Sequence, residues 1–331
     1  MRSFRLCAPV FSLVALVAVA APGCGEEEDP FADDGETGGD GSGDDSSTTS
    51  DSGSEGTSAE TSASTTGDGD GDSSTTGDGD GDTGNQGCAP APTRMVVLGD
   101  SVPAGVGVSG KDGDDNAFKI MHNYVTANYA GSVTFENLAV GGAKTTDVPD
   151  KQLGTIPTGM PGHVVVNIHI GGNDLAPFIF SSDQEAVDSF DGLMADAMAD
   201  WAAIWAFFDD TSKFPDGATL VVNTQYNPFD DCPATYNGVS LSDTKSELLR
   251  EYNAWMREQV GQHANGYIAD QHPVFLGHGH NYNKSQCPHY IEGADYWMVG
   301  GFDFIHAGGG GHAAMGQVFS DVADTMYGDC G

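Results

Sequence analysis

Residues 95–101 read Met-Val-Val-Leu-Gly-Asp-Ser, so that four apolar residues run directly into a glycine, an acid and a serine. The apolar run predicts a short strand, Met95–Leu98, because continuous aliphatic runs are typical of strands that are covered on both faces. Ser101 then follows the carboxyl end of this strand, which is the edge where parallel α/β sheets carry their chemistry. Taken alone, this serine is more readily explained as a helix cap.

From residue 93 onward, short β-branched runs alternate with longer helical patterns. Such alternation is typical of a parallel sheet with helices on both faces. The predicted strands are Met95–Leu98, Val133–Leu138, Val164–Ile170, Thr219–Asn223 and Tyr267–Ala269. We therefore predict an α/β fold, a three-layer α/β/α sandwich built around a five-stranded parallel sheet.

Three long helices are predicted among and after the later strands. The first carries an apolar stripe that recurs every three or four residues, formed by Val187, Phe190, Met194, Ala197, Trp201, Ile204 and Phe208. This stripe predicts burial against the sheet rather than a binding surface. The second helix is expected to begin around Thr244 and Glu247, which have the spacing of a capping box. The last is expected from about Gly311 to Met326.

Three further stretches add polar groups and glycines to the serine. Asn137–Ala143 and Gly171–Asp174 follow the second and third predicted strands, so both reach the sheet edge that carries Ser101. Asp303 precedes His306 by three residues, which is close enough for a carboxylate to orient an imidazole. Each feature is common by chance, and only their combination points to catalysis.

The four stretches, in this order, resemble the conserved blocks of the GDSL-type SGNH hydrolase superfamily of esterases and lipases. The resemblance covers residues 94–327. It implies a flavodoxin-like arrangement of the sheet, with Ser101 as the nucleophile, His306 as the general base and Asp303 as its orienting acid. An imidazole is needed because a serine hydroxyl is a poor nucleophile near neutral pH.

The resemblance also implies an oxyanion hole, the set of N–H donors that stabilises the negative oxygen of the tetrahedral intermediate. Its donors would be the Ser101 amide, Gly142 and Asn173. Gly142 is matched because Ala143 follows it, and the adjacent Gly141 is the alternative. Preformed donors of this kind are typically worth about 10²–10³ in rate each.

The predicted reaction is hydrolysis of a carboxylic ester through an acyl-enzyme, and it requires no metal or other cofactor. A metal site in the segment 278–289, which holds three histidines, is disfavoured because no carboxylate or cysteine falls at a usual ligand spacing. Two alternatives remain open. One is a carbohydrate O-acetyl esterase of the same fold, and the other is a catalytically silent, surface-anchored binding protein.

Aromatic and aliphatic side chains flank the predicted site in the sequence and are expected to wall it. They are Phe178, Ile179, Phe180, Tyr290, Tyr296, Trp297, Phe302 and Phe304. The expected partner is therefore a small-molecule ester, a lipid or an acylated glycan. The formal charge of -37 excludes a nucleic-acid binder that depends on phosphate contacts, and it favours neutral esters.

The first 87 residues predict export. Two arginines precede an apolar stretch at residues 6–21, which would rise only about 24 Å as a helix and is short for a membrane span of roughly 30 Å. Ala21-Pro22-Gly23-Cys24 resembles the lipobox of bacterial lipoproteins, so residues 1–23 are predicted to be a signal peptide and Cys24 to be lipidated. The alternative is ordinary cleavage after Ala20 and secretion.

Residues 24–87 are predicted to be a disordered linker, and residues 88–331 to be the hydrolase domain. The 63 residues from 25 to 87 include 19 acidic residues, no lysine or arginine, and mostly Gly, Ser and Thr, a composition that cannot bury enough apolar surface to fold.

The cysteines agree with export. Lipidation of Cys24 leaves four cysteines in the domain, an even number that suits two disulfides in an oxidising compartment. The pairs predicted are Cys88 with Cys330 and Cys232 with Cys287. The protein is therefore expected at the cell envelope, on the outer membrane or cell surface, held there only by the lipid on Cys24.

Overall fold

The computed structural model describes residues 88–328, in which five parallel strands form one sheet. The strands are β1 Arg94–Gly99, β2 Thr134–Asn137, β3 Val164–His169, β4 Ala218–Asn223 and β5 Gly266–Ala269. They are hydrogen-bonded in the order β2-β1-β3-β4-β5. This confirms the predicted parallel sheet, and it makes β1 and β3 neighbours in register, so that Gly99 pairs with His169.

Helices cover both faces of the sheet, and β1, β3 and β4 are therefore buried along their whole length. The α-helices of the described residues are α1 Ala117–Val125, α2 Gly172–Leu175, α3 Pro177–Phe180, α4 Asp183–Phe208, α5 Asp243–Gly261, α6 His272–Phe275 and α7 Gly309–Tyr327. Shorter π- and 3₁₀-helical turns occur at Thr126–Ala130, Val148–Gln152 and Leu153–Thr155. α1 and α7 contribute to one buried cluster, and α4 and α5 to the other, which confirms the three-layer α/β/α architecture.

The stripe of α4 differs from the prediction at its first position. Val187 is exposed, and the neighbouring Ala186 is buried instead. The helix begins with a capping box, in which Ser182 accepts a hydrogen bond from the Glu185 N–H and the Glu185 side chain accepts from Ser182. Ala186 lies one helical turn before the buried Phe190, so the sheet-facing side begins one residue earlier than predicted.

The predicted start of α5 is wrong. The N-cap is Ser242, whose Oγ accepts a hydrogen bond from the Lys245 N–H at 3.3 Å, and the helix begins at Asp243. Thr244 and Glu247 therefore lie inside the first two turns and form no capping box. A serine in extended conformation directly before the helix satisfies the orphan N–H earlier than Thr244 could.

The predictions for residues 1–87, including the signal peptide, the lipidated Cys24 and the linker, lie outside the described residues, and so does Cys330. The structure contains the disulfide between Cys232 and Cys287, which are separated by 55 positions. Within residues 88–328, no helix is long and apolar enough to cross a membrane.

His312 joins the two helices of one face. It lies in the first turn of α7, and its Nδ1 accepts a hydrogen bond from the N–H of Ala117, the first residue of α1, at 3.3 Å. An acceptor at this position must be neutral. Burial lowers the pKa of His312 to about 4, so the folded protein keeps the ring uncharged at neutral pH.

The buried His312 predicts a loss of stability in acid. The unfolded chain takes up a proton near pH 6.5, whereas the folded chain does so only near pH 4, so the free energy of unfolding falls as the pH drops through this window. The contribution of His312 is roughly 3 kcal/mol. The measurement is urea unfolding at pH 7 and pH 4.5 for the wild type and for His312→Asn, whose Oδ1 can replace Nδ1 as acceptor. We expect a smaller pH dependence in the variant, and an equal dependence in both proteins would contradict this role.

Candidate active site

Ser101 lies two residues after Gly99, the last residue of β1, and this position requires a glycine. Gly99 has a φ of +131°, and a Cβ there would lie 1.9 Å from the carbonyl oxygen of His169. A side chain is therefore excluded by backbone conformation and by space. The Asp100 N–H donates to the same oxygen at 3.2 Å. The chain consequently turns at this point and leaves Ser101 at the carboxyl edge of the sheet.

Buried polar side chains hold this turn. The Gln152 side chain accepts a hydrogen bond from the Gly99 N–H at 2.9 Å and donates to the Gly99 carbonyl at 2.8 Å. Asp100 Oδ1 accepts from the Val102 N–H at 3.0 Å and lies 3.7 Å from His169 Nδ1. Asp100 therefore braces the turn that presents the serine.

His306 is 205 positions from Ser101 in the sequence and is hydrogen-bonded to it in the structure. His306 Nε2 lies 2.8 Å from Ser101 Oγ, and His306 Nδ1 lies 2.7 Å from Asp303 Oδ2. A ring protonated at Nδ1 donates to the carboxylate and leaves Nε2 to accept from the serine hydroxyl. The distance between Ser101 Oγ and His306 Nε2 is within the range that proton transfer requires.

Asp303 is held as a carboxylate. Its Oδ1 accepts hydrogen bonds from the backbone N–H groups of Ile305 at 3.1 Å and His306 at 3.0 Å. Burial acts to raise the pKa of Asp303, but these hydrogen bonds and the one from the His306 ring outweigh it, so the pKa lies below its ordinary value. The same contacts form a tight turn that orients the imidazole.

Tyr226 fixes the chain on both sides of His306. Its hydroxyl donates to the Ile305 carbonyl at 2.6 Å and accepts from the Ala307 N–H at 3.2 Å. The ring is buried and stacks on Phe275 with a centroid distance of 4.4 Å. Burial raises the pKa of Tyr226 well above its ordinary value, so the hydroxyl keeps its proton and donates at any physiological pH. Tyr226 is therefore a positioning residue for His306.

The sequence patterns do not predict the roles of Tyr226 and Gln152. Tyr226 follows the last residue of β4 by three positions, at the same sheet edge as Ser101, and this location is a signal that could have identified it. Gln152 ends the irregular π-helical turn at Val148–Gln152, where no periodicity or motif distinguishes it.

The predicted oxyanion donors lie on the loops that follow β2 and β3. Asn173 is in α2 and lines the same cleft as Ser101, and its Nδ2 donates to the Ala143 carbonyl at 2.9 Å. This bond ties α2 to the loop after β2, where Gly142 has a φ of +79°. Gly142 is not among the residues that line the cleft, so its role, with Gly141 as the alternative, stays a prediction.

A cleft of about 690 Å³, open to solvent, extends from Ser101 and His306. Its polar end includes both side chains and Asn173, whereas the other walls are largely apolar. The apolar lining residues are Val102, Leu175, Ala176, Phe178, Ile179, Pro228, Leu241, Leu249 and Ile305. The lining of this cleft suits a small ligand with a hydrocarbon group.

Only part of the predicted aromatic wall lines this cleft. Phe178 and Ile179 do so, while the side chain of Phe180 is 70 % exposed and meets Phe304 edge-on at the rim. Phe302 is 86 % exposed. The remaining predicted members that do not line it are Tyr290, Tyr296, Trp297 and Phe304. Proximity to His306 in sequence misled the prediction, because the loop before it packs Tyr296 and Trp297 against residues 275–282 and leaves Phe302 exposed.

The histidines at 278 and 280 are used in aromatic contacts. His278 stacks on Trp297 with a centroid distance of 3.6 Å, and His280 stacks on Tyr236 while its Nδ1 is hydrogen-bonded to the Tyr296 hydroxyl at 2.8 Å. Burial lowers the pKa of His280 to about 4, so the ring is neutral near pH 7. In the described part of the chain, no three His, Cys, Asp or Glu side chains are grouped to hold a metal ion.

Hydrogen bonds link a serine, a histidine and an aspartate at the carboxyl edge of a flavodoxin-like sheet. This arrangement is typical of hydrolases that attack acyl groups. The chain belongs to the GDSL-like lipase/acylhydrolase family, whose family model matches residues 97–314. It is a carboxylic ester hydrolase. No curated protein sequence matches the chain.

Several solved structures are similar to this chain. A lipase from a goat rumen metagenome is 15 % identical, with a TM-score of 0.50 over 69 % of this chain and 96 % of that one. A gut microbial diltiazem-metabolizing enzyme is 16 % identical, with a TM-score of 0.51 over 71 % of this chain and 47 % of that one. An extracellular lipase from Streptomyces rimosus is 21 % identical, with a TM-score of 0.49 over 70 % of this chain and 99 % of that one. At these identities the likeness concerns the fold alone.

Proposed function

We propose that the chain hydrolyses carboxylic esters through an acyl-enzyme on Ser101, with His306 as the general base and Asp303 as the acid that orients it. The observation that carries this proposal is the line of two hydrogen bonds, 2.7 Å from Asp303 to the imidazole and 2.8 Å from the imidazole to Ser101 Oγ. A neutral imidazole at this distance can take the serine proton as the oxygen attacks.

Acylation begins when Ser101 Oγ bonds to the carbonyl carbon and its proton moves to His306 Nε2. The Asp303 carboxylate stabilises the resulting imidazolium. The carbonyl oxygen becomes negative, and the proposed donors, which are the Ser101 N–H, Gly142 and Asn173, stabilise it. The intermediate then expels the alcohol, which takes the proton from Nε2. Water repeats these steps on the acyl-enzyme, releases the carboxylic acid and restores the serine.

We propose a neutral ester with an apolar acyl group as the substrate. The apolar lining of the cleft supports this choice, and the formal charge of -37 repels anionic substrates. Activity on acetylated xylan that exceeds activity on butyrate and octanoate esters would favour the O-acetyl esterase instead.

We also propose that the enzyme is exported and anchored through Cys24. The disulfide between Cys232 and Cys287 supports export, because disulfides persist in oxidising compartments. Mass spectrometry of the mature N-terminus tests the anchor. A diacylated Cys24 is the expected result, and an N-terminus at Ala21 would show ordinary cleavage.

Ser101→Ala is expected to lower kcat for 4-nitrophenyl butyrate by at least 10⁴-fold, because it removes the oxygen that forms the acyl-enzyme. The matched control is Ser109→Ala, which removes an exposed hydroxyl bonded to Asp115 on the same loop. An organophosphonate should label the wild type and the control at one site each, and should leave Ser101→Ala unlabelled. Full turnover by a folded Ser101→Ala would refute the proposal.

Tyr226→Phe is expected to lower kcat by about tenfold with little change in KM, because it removes only the hydroxyl that fixes the chain around His306 and leaves the substrate cleft in place. The control is Tyr327→Phe, which removes a buried hydroxyl that has no hydrogen-bond partner among residues 88–328. A rise in KM with an unchanged kcat would instead assign Tyr226 to substrate binding.

A further inference from the structure

Among residues 88–328, Lys245 is the only lysine or arginine that lines the cleft beside Ser101. It lies in the first turn of α5, and Leu249 follows it on the same face, four residues later, also lining the cleft. Lys245 is only 7 % exposed, although lysine is almost never buried without a partner. A buried ammonium in an otherwise apolar wall calls for a physical reason.

The Lys245 ammonium holds the corner between α3 and α4. Its Nζ donates to the Ser181 carbonyl at 2.6 Å and lies 3.9 Å from Asp183 Oδ1. Ser181 is the C-cap residue that follows α3, and Asp183 is the first residue of α4. The Ser242 hydroxyl, just before α5, donates to the same Asp183 oxygen at 2.6 Å. The start of α5 is thus fixed to this corner by two neighbouring side chains.

The length of α2 and α3 separates this corner from Asn173, which lines the cleft beside the proposed nucleophile. α2 and α3 form one helical stretch, because Ala176 between them keeps helical φ and ψ of -53° and -35°. Nine residues of helix, from Gly172 to Phe180, rise about 13 Å. Asn173 is at the beginning of this stretch and lines the cleft together with Ser101, whereas Ser181 follows its end.

We infer that Lys245 is a specificity-determining residue that closes the end of the acyl-binding cleft and limits the length of the acyl chain. The inference rests on the proposed ester hydrolysis at Ser101. The apolar stem of the lysine forms part of the wall, while its ammonium is held by Ser181 at the corner. A longer acyl chain would have to displace the stem and leave the ammonium without its acceptor in an apolar environment, which opposes binding.

The test compares kcat/KM for 4-nitrophenyl acetate, butyrate, octanoate and palmitate in the wild type, Lys245→Ala and Lys245→Met. We expect Lys245→Ala to raise the ratio of palmitate to acetate at least tenfold, because the end of the cleft opens. Lys245→Met should raise it less, because its unbranched side chain still fills most of the space. The control is Lys213→Ala, which removes a lysine that is paired with Asp210 and absent from the cleft, and it should keep the wild-type ratio.

Thermal unfolding identifies which variants are folded, and Lys245→Met gives a second measurement if the alanine variant does not fold. A ratio within twofold of wild type in the folded variants overturns the inference, as does an equal loss for all four esters, which would indicate a purely structural lysine. In those cases the wild type still hydrolyses the short esters. A wild type that hydrolyses none of them contradicts the proposed function itself, and this inference with it.

Discussion

The meeting of β1 and β3 at Gly99 is the constraint on which the site depends. The His169 carbonyl occupies the space of a side chain at this position and accepts the Asp100 N–H. The loop after β2 is fixed to the same place, because the Val140 N–H donates to the Gly99 carbonyl at 3.0 Å. The serine and the predicted oxyanion loop are therefore positioned by backbone contacts around one glycine.

The imidazole is positioned by a second set of contacts, remote in sequence from the first. Asp230 accepts hydrogen bonds from the N–H groups of Gly277, Gly279 and Asn281 at 2.9, 2.6 and 2.9 Å, and the disulfide between Cys232 and Cys287 joins the same two loops. The second of these loops supports the strand-like segment before His306, since the Trp297 N–H donates to the His278 carbonyl. The loops around His306 are thus held by buried hydrogen bonds and a disulfide, in a region with little regular secondary structure.

The parallel sheet could be predicted from the sequence because β1, β3 and β4 are buried on both faces and read as largely apolar runs. The sequence could not predict the contacts of Tyr226 or Lys245, since both depend on segments that are remote in sequence and meet only in the folded chain. It also misplaced the start of α5, because Thr244 and Ser242 both satisfy the local rule and only the backbone conformation separates them. The prediction of the aromatic wall was wrong in part for a related reason. The alternation of side chains that holds in a strand does not apply to a loop, so it does not predict the direction of a loop side chain such as Trp297.

Several carboxylates surround the site, and their hydrogen bonds separate the proposed catalytic acid from the structural ones. Asp174 accepts from the Thr145 N–H and hydroxyl, and burial raises its pKa. Burial likewise raises the pKa of Asp230, whose oxygens accept three backbone N–H groups. In Asp303, by contrast, Oδ1 accepts a backbone N–H of its own turn and Oδ2 is hydrogen-bonded to the His306 ring. The pKa of Asp303 is lowered. An acid that orients an imidazole must be ionised and must have a carboxylate oxygen directed at the ring. Among these three aspartates, the backbone turn gives Asp303 both properties, which supports its proposed role.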